Sequence, residues 1–470
     1  GLGDVYKRQE LEYACHENRL VALPGFGEKT QAKILRGIDY VQKHAGRHLL
    51  SEAWTAAESL LERVAALPGV ERCELAGSIR RRKETIKDID ILVTASEPGP
   101  IMDAFTAFED VDEVIGHGET KSSVRLDTGI QVDLRVVPAP SFAFAWAYFT
   151  GSKEHNTVMR QRAKARGLKL NEYGLFPAEG DEGESLDCAT EAEIFAALDL
   201  AEIPPELRED RGEFEAAEKA PLPALLEVEQ LRGVLHNHST WSDGAHSIEE
   251  MARAARERGW EYLGLSDHSQ SAFYAHGLQP DDVLRQHEEI DELNQRLEGI
   301  TVLKGIESDI LPDGRLDYEE EILERFDFVV ASVHGHFGLD AAKQTERCIR
   351  AVQNPFTSVL GHPTGRLLLA REGFAVDMAA VLEAAAESGC AVELNANPHR
   401  LDLDWRELRR ARKLGVRISI GPDAHRMEGL GDVRYGVAVA RKGWLAPEGV
   451  LNTLGLERMR TYLAERRRDR

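Results

Sequence analysis

Asp88 and Asp90 open an apolar run, Asp88-Ile89-Asp90-Ile91-Leu92-Val93. Residues i and i+2 of a strand face the same way, so the pair presents two carboxylates on one face. Asp133 lies in a second strand-like run, 131–137. If the two strands are neighbours, three carboxylates converge, which is costly unless cations neutralise them. Two hard divalent ions, Mg²⁺ or Mn²⁺, suit such oxygen ligands. A two-ion site can activate an attacking oxygen and clamp a phosphate leaving group. Gly77-Ser78, ten residues upstream, can offer backbone N–H groups and a hydroxyl to phosphate oxygens, and Arg81 can pair with them bidentately. An Asp-x-Asp pair alone reads more simply as two solvated aspartates; the Gly-Ser turn and the third aspartate favour catalysis.

A second set of residues fills the C-terminal half. His236-Asn237-His238 follows the run 233–235, and Asp243 comes five residues later. Asp267-His268 follows 262–265, Glu307 follows 301–304, and His334 and His336 follow 328–332. His362 follows 357–360, and Asp423-Ala424-His425 follows 416–420. Any one of these histidines is more simply a core or rim residue. Their regular return at strand ends points to a metal cluster, and N and O ligands without cysteine suit Zn²⁺, Mn²⁺ or Fe²⁺. His336, Asp267, His276 and Asn395 are left over, as groups that orient the ligands or as plain rim residues. Arg366 and His399 are candidates to steer phosphate, or surface ion pairs.

The elements that must position these groups differ between the halves. Residues 10–50 read as helical with a break at Leu23-Pro24-Gly25-Phe26-Gly27, followed by an alanine- and leucine-rich helix over 52–67. Strands are predicted around 73–76, 88–94 and 130–137, and helices over 141–149 and 156–167. After Gly233, seven apolar runs alternate with helical stretches, the pattern of an α/β barrel whose C-terminal rim holds the active site.

At about 150 residues per domain, 470 residues suggest roughly three domains. With 42% hydrophobic and 30% charged residues, the chain can bury real cores. It contains no apolar run long enough for a membrane span and no visible signal peptide. Five scattered cysteines without a C-x-x-C pair fit a reducing cytosol. The net charge of −23 argues at first against nucleic acid, but it is unevenly spread. Residues 1–170 carry 24 basic and 24 acidic groups, and residues 171–230 carry 3 and 18. The acidity is thus expected to stand away from any nucleotide-binding turn. Asp4–Gln9 (DVYKRQ) matches the translation of a transposon-end sequencing adapter, so residues 1–9 are read as artefact and the native N-terminus as lost; a native frame running through that string at the source locus would overturn this.

The N-terminal motifs resemble the palm of a nucleotidyltransferase, specifically a family X DNA polymerase. Tyr148-Phe149-Thr150-Gly151-Ser152, then Asn156, Arg160 and Lys169-Leu170-Asn171-Glu172-Tyr173-Gly174, make the likeness close. The resemblance implies that Asp88, Asp90 and Asp133 are the catalytic metal ligands and that Gly77, Ser78 and Arg81 hold the triphosphate. It implies a sugar pocket of Tyr148, Phe149 and Gly151, with Asn156 at the base edge and Arg160 on the template side. Lys153 and His155 stand where the animal enzymes have an acid and an aromatic. The turn around Gly25, Gly27 and Lys29 resembles a helix–hairpin–helix, whose main-chain amides can hold a DNA phosphate without net positive charge; a plain inter-helix turn is the simpler alternative. The usual preceding lyase domain has no counterpart, so no lyase activity is assigned.

The C-terminal pattern is similar to a polymerase and histidinol phosphatase (PHP) domain. That family holds up to three metals with nine ligands, matched here by His236, His238, Asp243, His268, Glu307, His334, His362, Asp423 and His425. By resemblance Glu307 bridges two metals; His236, His238 and Asp423 hold one, His334 and His362 a second, and Asp243, His268 and His425 a third. The implied fold is multidomain α/β: a nucleotidyltransferase palm on a mixed sheet, with helical fingers and thumb, then a distorted (β/α)7 PHP barrel. The expected divisions are partial fingers at 10–50, palm at 51–138, thumb at 139–205, an acidic linker at 206–232 and the barrel at 233–470. The implied function is filling of short gaps in DNA repair, coupled to 3′-end processing as a 3′–5′ exonuclease, 3′-phosphatase or abasic-site endonuclease. The implied partners are gapped or nicked DNA and deoxynucleotides, for a cytoplasmic, nucleoid-associated monomer. The alternatives are a repair nuclease on an inactive polymerase platform, a small-molecule phosphatase, and a non-catalytic scaffold.

Overall fold

The computed structural model describes residues 11, 15, 27–178, 184–219 and 221–468; the expected adapter remnant and Gly25 lie outside the described residues. Gly27 and Lys29 stand exposed at the start of the helix Glu28–Lys43, where the Thr30 and Gln31 N–H groups donate to the Gly27 carbonyl.

A five-stranded mixed sheet carries the first set of carboxylates. Its strands are β1 (Val70–Leu75), β2 (Asp88–Ala95), β3 (Val111–His117), β4 (Lys121–Leu126) and β5 (Gln131–Val136), in the spatial order β1-β2-β5-β4-β3. Only β2 and β5 run parallel. The helix Leu50–Ala65 covers the sheet with an i, i+3/i+4 stripe of Leu50, Ala53, Ala57, Leu60 and Val64. The predicted strands correspond to β1, β2 and β5. The β3–β4 hairpin was not anticipated, because β3 is exposed along nearly its whole length and shows no apolar alternation. Helices Phe142–Thr150 and Lys153–Ala165 follow, parted by Gly151-Ser152. The Ser152 hydroxyl caps the second by accepting from the His155 N–H.

The C-terminal half is a parallel barrel of seven strands in sequence order. They are β6 (Gly233–Val234), β7 (Tyr262–Leu265), β8 (Thr301–Asp309), β9 (Phe328–Ser332), β10 (Val359–Leu360), β11 (Ala391–Asn395) and β12 (Ile418–Gly421). A parallel bridge between Asn237 and Ala424 joins the first strand's end to the last. Leu235, Tyr262, Leu303, Phe328, Val330 and Val359 pack together in its core, so the interior is filled, as parallel strands with both faces buried require. No described helix is long and apolar enough to cross a membrane.

The halves meet on a charged, buried seam, and the acidic segment belongs to it. Lys442 ends the helix Val433–Lys442 with its side chain fully buried. Its ammonium donates to the Arg81 carbonyl (3.0 Å), the Glu206 carbonyl (3.2 Å) and Glu209 Oε1 (2.6 Å). Glu209 also accepts from Arg81 Nε at 3.1 Å. Arg441 pairs with Glu206 and Glu227. The Trp405 ring lies 4.7 Å from Lys442 Nζ and 5.4 Å from Lys83 Nζ, and Trp54 meets Tyr435 edge-to-face at 5.7 Å. Residues 206–232 therefore do not form a loose tether. The acidity does not stand apart from the Gly77–Arg81 turn either, because Glu191 holds Arg80 and Glu209 holds Arg81.

Burial opposes the charge of both carboxylates, but the cations prevail: Arg208 and Arg80 bring Glu191 down to about 2, and Lys442, Arg81 and Lys83 do the same for Glu209. Each moves from 4.5 unfolded to about 2 folded, so its contribution is complete above pH 4.5 and is lost as the pH falls to 2. The unfolding midpoint in denaturant should drop across that window. Glu209→Gln, which leaves the Lys442 ammonium buried without its counter-ion, should cost about 3 kcal/mol at pH 7 and shallow the acid limb of the same titration.

Candidate active sites

The β2–β5 register sets Asp90 directly opposite Asp133, with Asp88 two residues before Asp90 on the same face. Burial, then the charges of Asp88 and Asp133, push the Asp90 carboxyl up to about 7. Burial also works against Asp133, yet hydrogen bonds from Lys121, Gln131 and Ser123 hold it below the usual carboxylate range. Lys121 Nζ lies 2.8 Å from Asp133 Oδ2. The donor set is all oxygen and crowded with like charge, and that chemistry fits hard divalent cations.

The turn beside it is built for close approach. Gly77 adopts φ +65, and a Cβ there would fall 2.1 Å from Asp90 Oδ2, so only glycine lets the backbone pass the carboxylate. Arg80 and Arg81 reach from this turn to Thr150: Arg80 Nη1 donates to its hydroxyl and Arg81 Nη1 to its carbonyl, both at 2.6 Å. The Arg81 guanidinium is thus already engaged by Thr150 and Glu209. Across Gly151, Asn156 Nδ2 donates to the Tyr148 carbonyl at 2.6 Å, and a Cβ on Gly151 would meet Asn156 Oδ1 at 2.4 Å. Tyr148 and Phe149 pack edge-to-face at 5.2 Å. Arg160 is exposed, with Nη2 3.4 Å from Thr157 Oγ1. His155 is buried, stacks on Phe214 at 4.7 Å and lies 3.0 Å from Glu213 through Nδ1.

Glu307, 1% exposed on β8, organises the second site. Its two oxygens lie 2.8–3.7 Å from ring nitrogens of His236, His238, His268, His334 and His362. Asp423 Oδ1 lies 3.7 Å from His236 and 3.3 Å from His238. Asp243 lies 3.3 Å from His425, 3.6 Å from His268 and 3.8 Å from His238. These spacings resemble the separation of about 3.4 Å between neighbouring donors on a tetrahedral ion with bonds of about 2.1 Å. His236 Nε2, both nitrogens of His238 and His268 Nδ1 are buried without a well-formed hydrogen bond, which is the state of a donor aimed at a metal.

Four clusters of donor atoms, each within 4.8 Å, bring together the nine residues of the second set: His238–Asp243–His268–His425, His236–His238–Glu307, His236–His362–Asp423 and His268–Glu307–His334. The clusters overlap: His238 belongs both to the Asp243 group and to the His236 group, and His362 lies with His236 and Asp423. Burial, with the charges of His425 and His268, lowers His238 to about 3, keeping its imidazole neutral as a ligand must be. Burial works against protonation of His334, but Glu307 and Asp309 raise it to about 10.

Three orienting groups went unrecognised in the sequence. Glu393, buried on β11, accepts from His236 Nδ1 at 2.7 Å and from the His362 N–H at 2.7 Å. It is the lone charge in the apolar run Cys390–Ala396, a legible signal. Asp309 takes His334 Nδ1 at 2.6 Å from the position two residues past Glu307. Arg400 Nε lies 3.3 Å from Asp423 Oδ2. Among the left-over residues, Asn395 donates to Asp423 at 3.1 Å, and Asp267 accepts from Ser239, Ser242 and Gln286. His276 and His336 are exposed. Arg366 pairs with Asp404 and donates to the Arg400 and Leu401 carbonyls, the ion-pair alternative of its two readings.

The "DNA polymerase beta thumb" family model matches residues 145–209, and the "PHP domain" model matches residues 235–397. Over 461 residues the chain is 38% identical to the "DNA polymerase/3′–5′ exonuclease PolX" of Bacillus subtilis, covering 98% of this chain and 80% of that protein. A protein named "probable phosphatase" from Caldanaerobacter subterraneus is 29% identical over 252 residues, 51% of this chain and 94% of its own length. Another, from Acetivibrio thermocellus, is 33% identical over 199 residues, 40% of this chain and 78% of its own.

Removing the group that orients a ligating histidine typically costs ten- to a hundredfold in metal affinity. Glu393→Gln should therefore weaken Zn²⁺ or Mn²⁺ retention by about tenfold or more, read as metal content after dialysis at graded free-metal concentrations. Because His334 must lose its proton to bind metal, affinity in the wild-type protein should rise with pH from 6 to 9.

Proposed function

Because the chain belongs to the PolX family of DNA polymerase/3′–5′ exonucleases, which join a polymerase half to a PHP domain, we propose that it fills short gaps in DNA and processes 3′ ends at two separate sites. The observation that supports this reading is the coexistence of two donor sets of different chemistry, carboxylates on the paired strands that carry Asp90 and Asp133 and imidazoles gathered around Glu307.

In the N-terminal half, residues 10–50 serve as partial fingers, 51–138 as palm and 139–205 as thumb, with the barrel from 233 onward. Asp88, Asp90 and Asp133 hold two divalent ions, Mg²⁺ or Mn²⁺, which supply charge neutralisation and Lewis acidity for phosphoryl transfer. Gly77 and Ser78 present main-chain N–H groups and a hydroxyl to the triphosphate. Arg81 joins them by exchanging Glu209 for a phosphate oxygen. Tyr148, Phe149 and Gly151 bound the sugar, Asn156 meets the base edge and Arg160 the template. Asp133 orients the primer 3′-hydroxyl or takes its proton. Gly25, Gly27 and Lys29 bind the DNA backbone.

In the barrel, His236, His238, Asp243, His268, Glu307, His334, His362, Asp423 and His425 hold up to three ions, with Zn²⁺, Mn²⁺ and Fe²⁺ all compatible with the donors. Glu393, Asp309 and Asn395 fix the rings and carboxylates that bind them. The substrates are phosphodiesters or phosphomonoesters at 3′ ends, with trimming, 3′-dephosphorylation and abasic-site cleavage as the candidate reactions. A second reading, hydrolysis of small phosphomonoesters, is favoured by the phosphatase names of the half-length relatives; it requires turnover of free phosphomonoesters that DNA leaves unchanged. The protein acts as a cytoplasmic, nucleoid-associated monomer on gapped or nicked DNA and deoxynucleotides.

The decisive assay is one gapped, 3′-labelled duplex incubated with and without nucleotides in Mg²⁺ and Mn²⁺. Asp88→Ala with Asp90→Ala should lower extension by at least a thousandfold and leave trimming intact, while His236→Ala with His238→Ala should do the reverse. Extension at the wild-type rate by the first variant, or trimming by the repurified second, refutes the corresponding site.

A further inference from the structure

One segment at the mouth of the barrel inverts the usual rule of burial. In the loop 269–278, between β7 and the helix Pro280–Arg296, the small residues Ala272 and Ala275 are buried, while Phe273 is 82% and Tyr274 69% exposed. These are the two most exposed large hydrophobic side chains among the described residues. The loop's backbone is firmly tied. The Ser271 N–H donates to Asp317 Oδ2 at 2.7 Å, and its hydroxyl and the Gln270 amide also bond Asp317. The Ala275 and Gly277 N–H groups both return to the Ala272 carbonyl, at 2.9 and 3.1 Å, and the Leu278 N–H reaches the His268 carbonyl at 2.9 Å. The backbone therefore holds both rings outward.

Their position suits a ligand. The Tyr274 ring centroid lies 6.1 Å from that of His268 and 6.5 Å from that of His334, two members of the Glu307 cluster. A strand whose terminal phosphodiester enters the cluster from this side sets its last nucleoside beside the loop. The cluster's many carboxylates repel a polyanion wherever no cation covers them, so grip on the strand has to come from uncharged contacts as well. An aromatic face supplies such grip to any base.

We propose that Phe273 and Tyr274 form a stacking subsite for the terminal nucleobase of the unpaired 3′ strand that the barrel trims. The subsite rests on the nuclease reading of that half and adds to it a preference for ends that carry a base. The test uses the full chain with Mn²⁺ and two 5′-labelled single-stranded oligonucleotides, identical except that one ends in a normal nucleotide and the other in an abasic tetrahydrofuran residue. Wild-type protein should trim the base-bearing end with kcat/KM about tenfold higher, the size of one stacking contact. Phe273→Ala and Tyr274→Ala should each erase most of that advantage through KM, while Tyr274→Phe, which keeps the ring, retains it. Equal losses on both oligonucleotides, or no loss on either, overturn the subsite and leave the nuclease assignment standing; equal losses would mark the loop as a structural support. A wild-type protein that cuts neither oligonucleotide overturns the nuclease assignment and the subsite with it.

Discussion

A carboxylate buried in protein cannot remain charged unless cations or donors surround it, and Glu307 is the clearest case in this chain. Placed near the C-terminal end of a barrel strand, it is met by five imidazoles delivered from the ends of four other strands. Those rings in turn need partners for their remaining nitrogens, and Glu393 and Asp309 serve His236 and His334. The order of the seven parallel strands thus does more than fill a core: it brings residues as distant in sequence as His236 and Asp423 to one rim. Positive φ at Asp423 (+52) and His362 (+20) shows the backbone held away from its easiest conformations at two of these positions.

The same constraint acts in the N-terminal half with simpler parts. Parallel pairing of β2 with β5 sets Asp90 against Asp133, and Gly77 gives up a side chain so that the turn can lie against them. The all-oxygen site calls for small hard ions, and the imidazole-rich site accepts borderline ones. With the ions proposed for them, the two donor sets of one chain would have metal preferences that need not compete.

Much of this was legible in the sequence because the signals were periodic or clustered. The period-2 placement of Asp88 and Asp90 and the return of His, Asp and Glu after successive apolar runs each reflect how strands orient side chains. The β3–β4 hairpin was not legible, since β3 is solvated on both faces and its stability comes from pairing, not from a pattern of burial. The partners of the acidic segment were not legible either. Glu191, Glu209 and Glu213 look like solvated charge in a one-dimensional count, and only the fold brings Arg80, Lys442 and His155 to them. Tertiary ion pairs of this kind leave no local trace. Glu393 did leave one, a single charge in an apolar strand, and it could have been read.

The buried ammonium of Lys442 has a consequence for how the two halves can be separated. Its three acceptors, the carbonyls of Arg81 and Glu206 and the carboxylate of Glu209, all belong to the polymerase half, and the Trp405 indole beside it faces Lys83 across the same seam. A barrel excised at residue 233 would carry a naked cation and a bared indole into water, and the remaining half would keep an acid with one cation fewer. In recombination, natural or engineered, the helices that begin at Trp405 and end at Lys442 travel with their partners or have to be rewritten. The border between the two catalytic halves in space is therefore not the border along the chain.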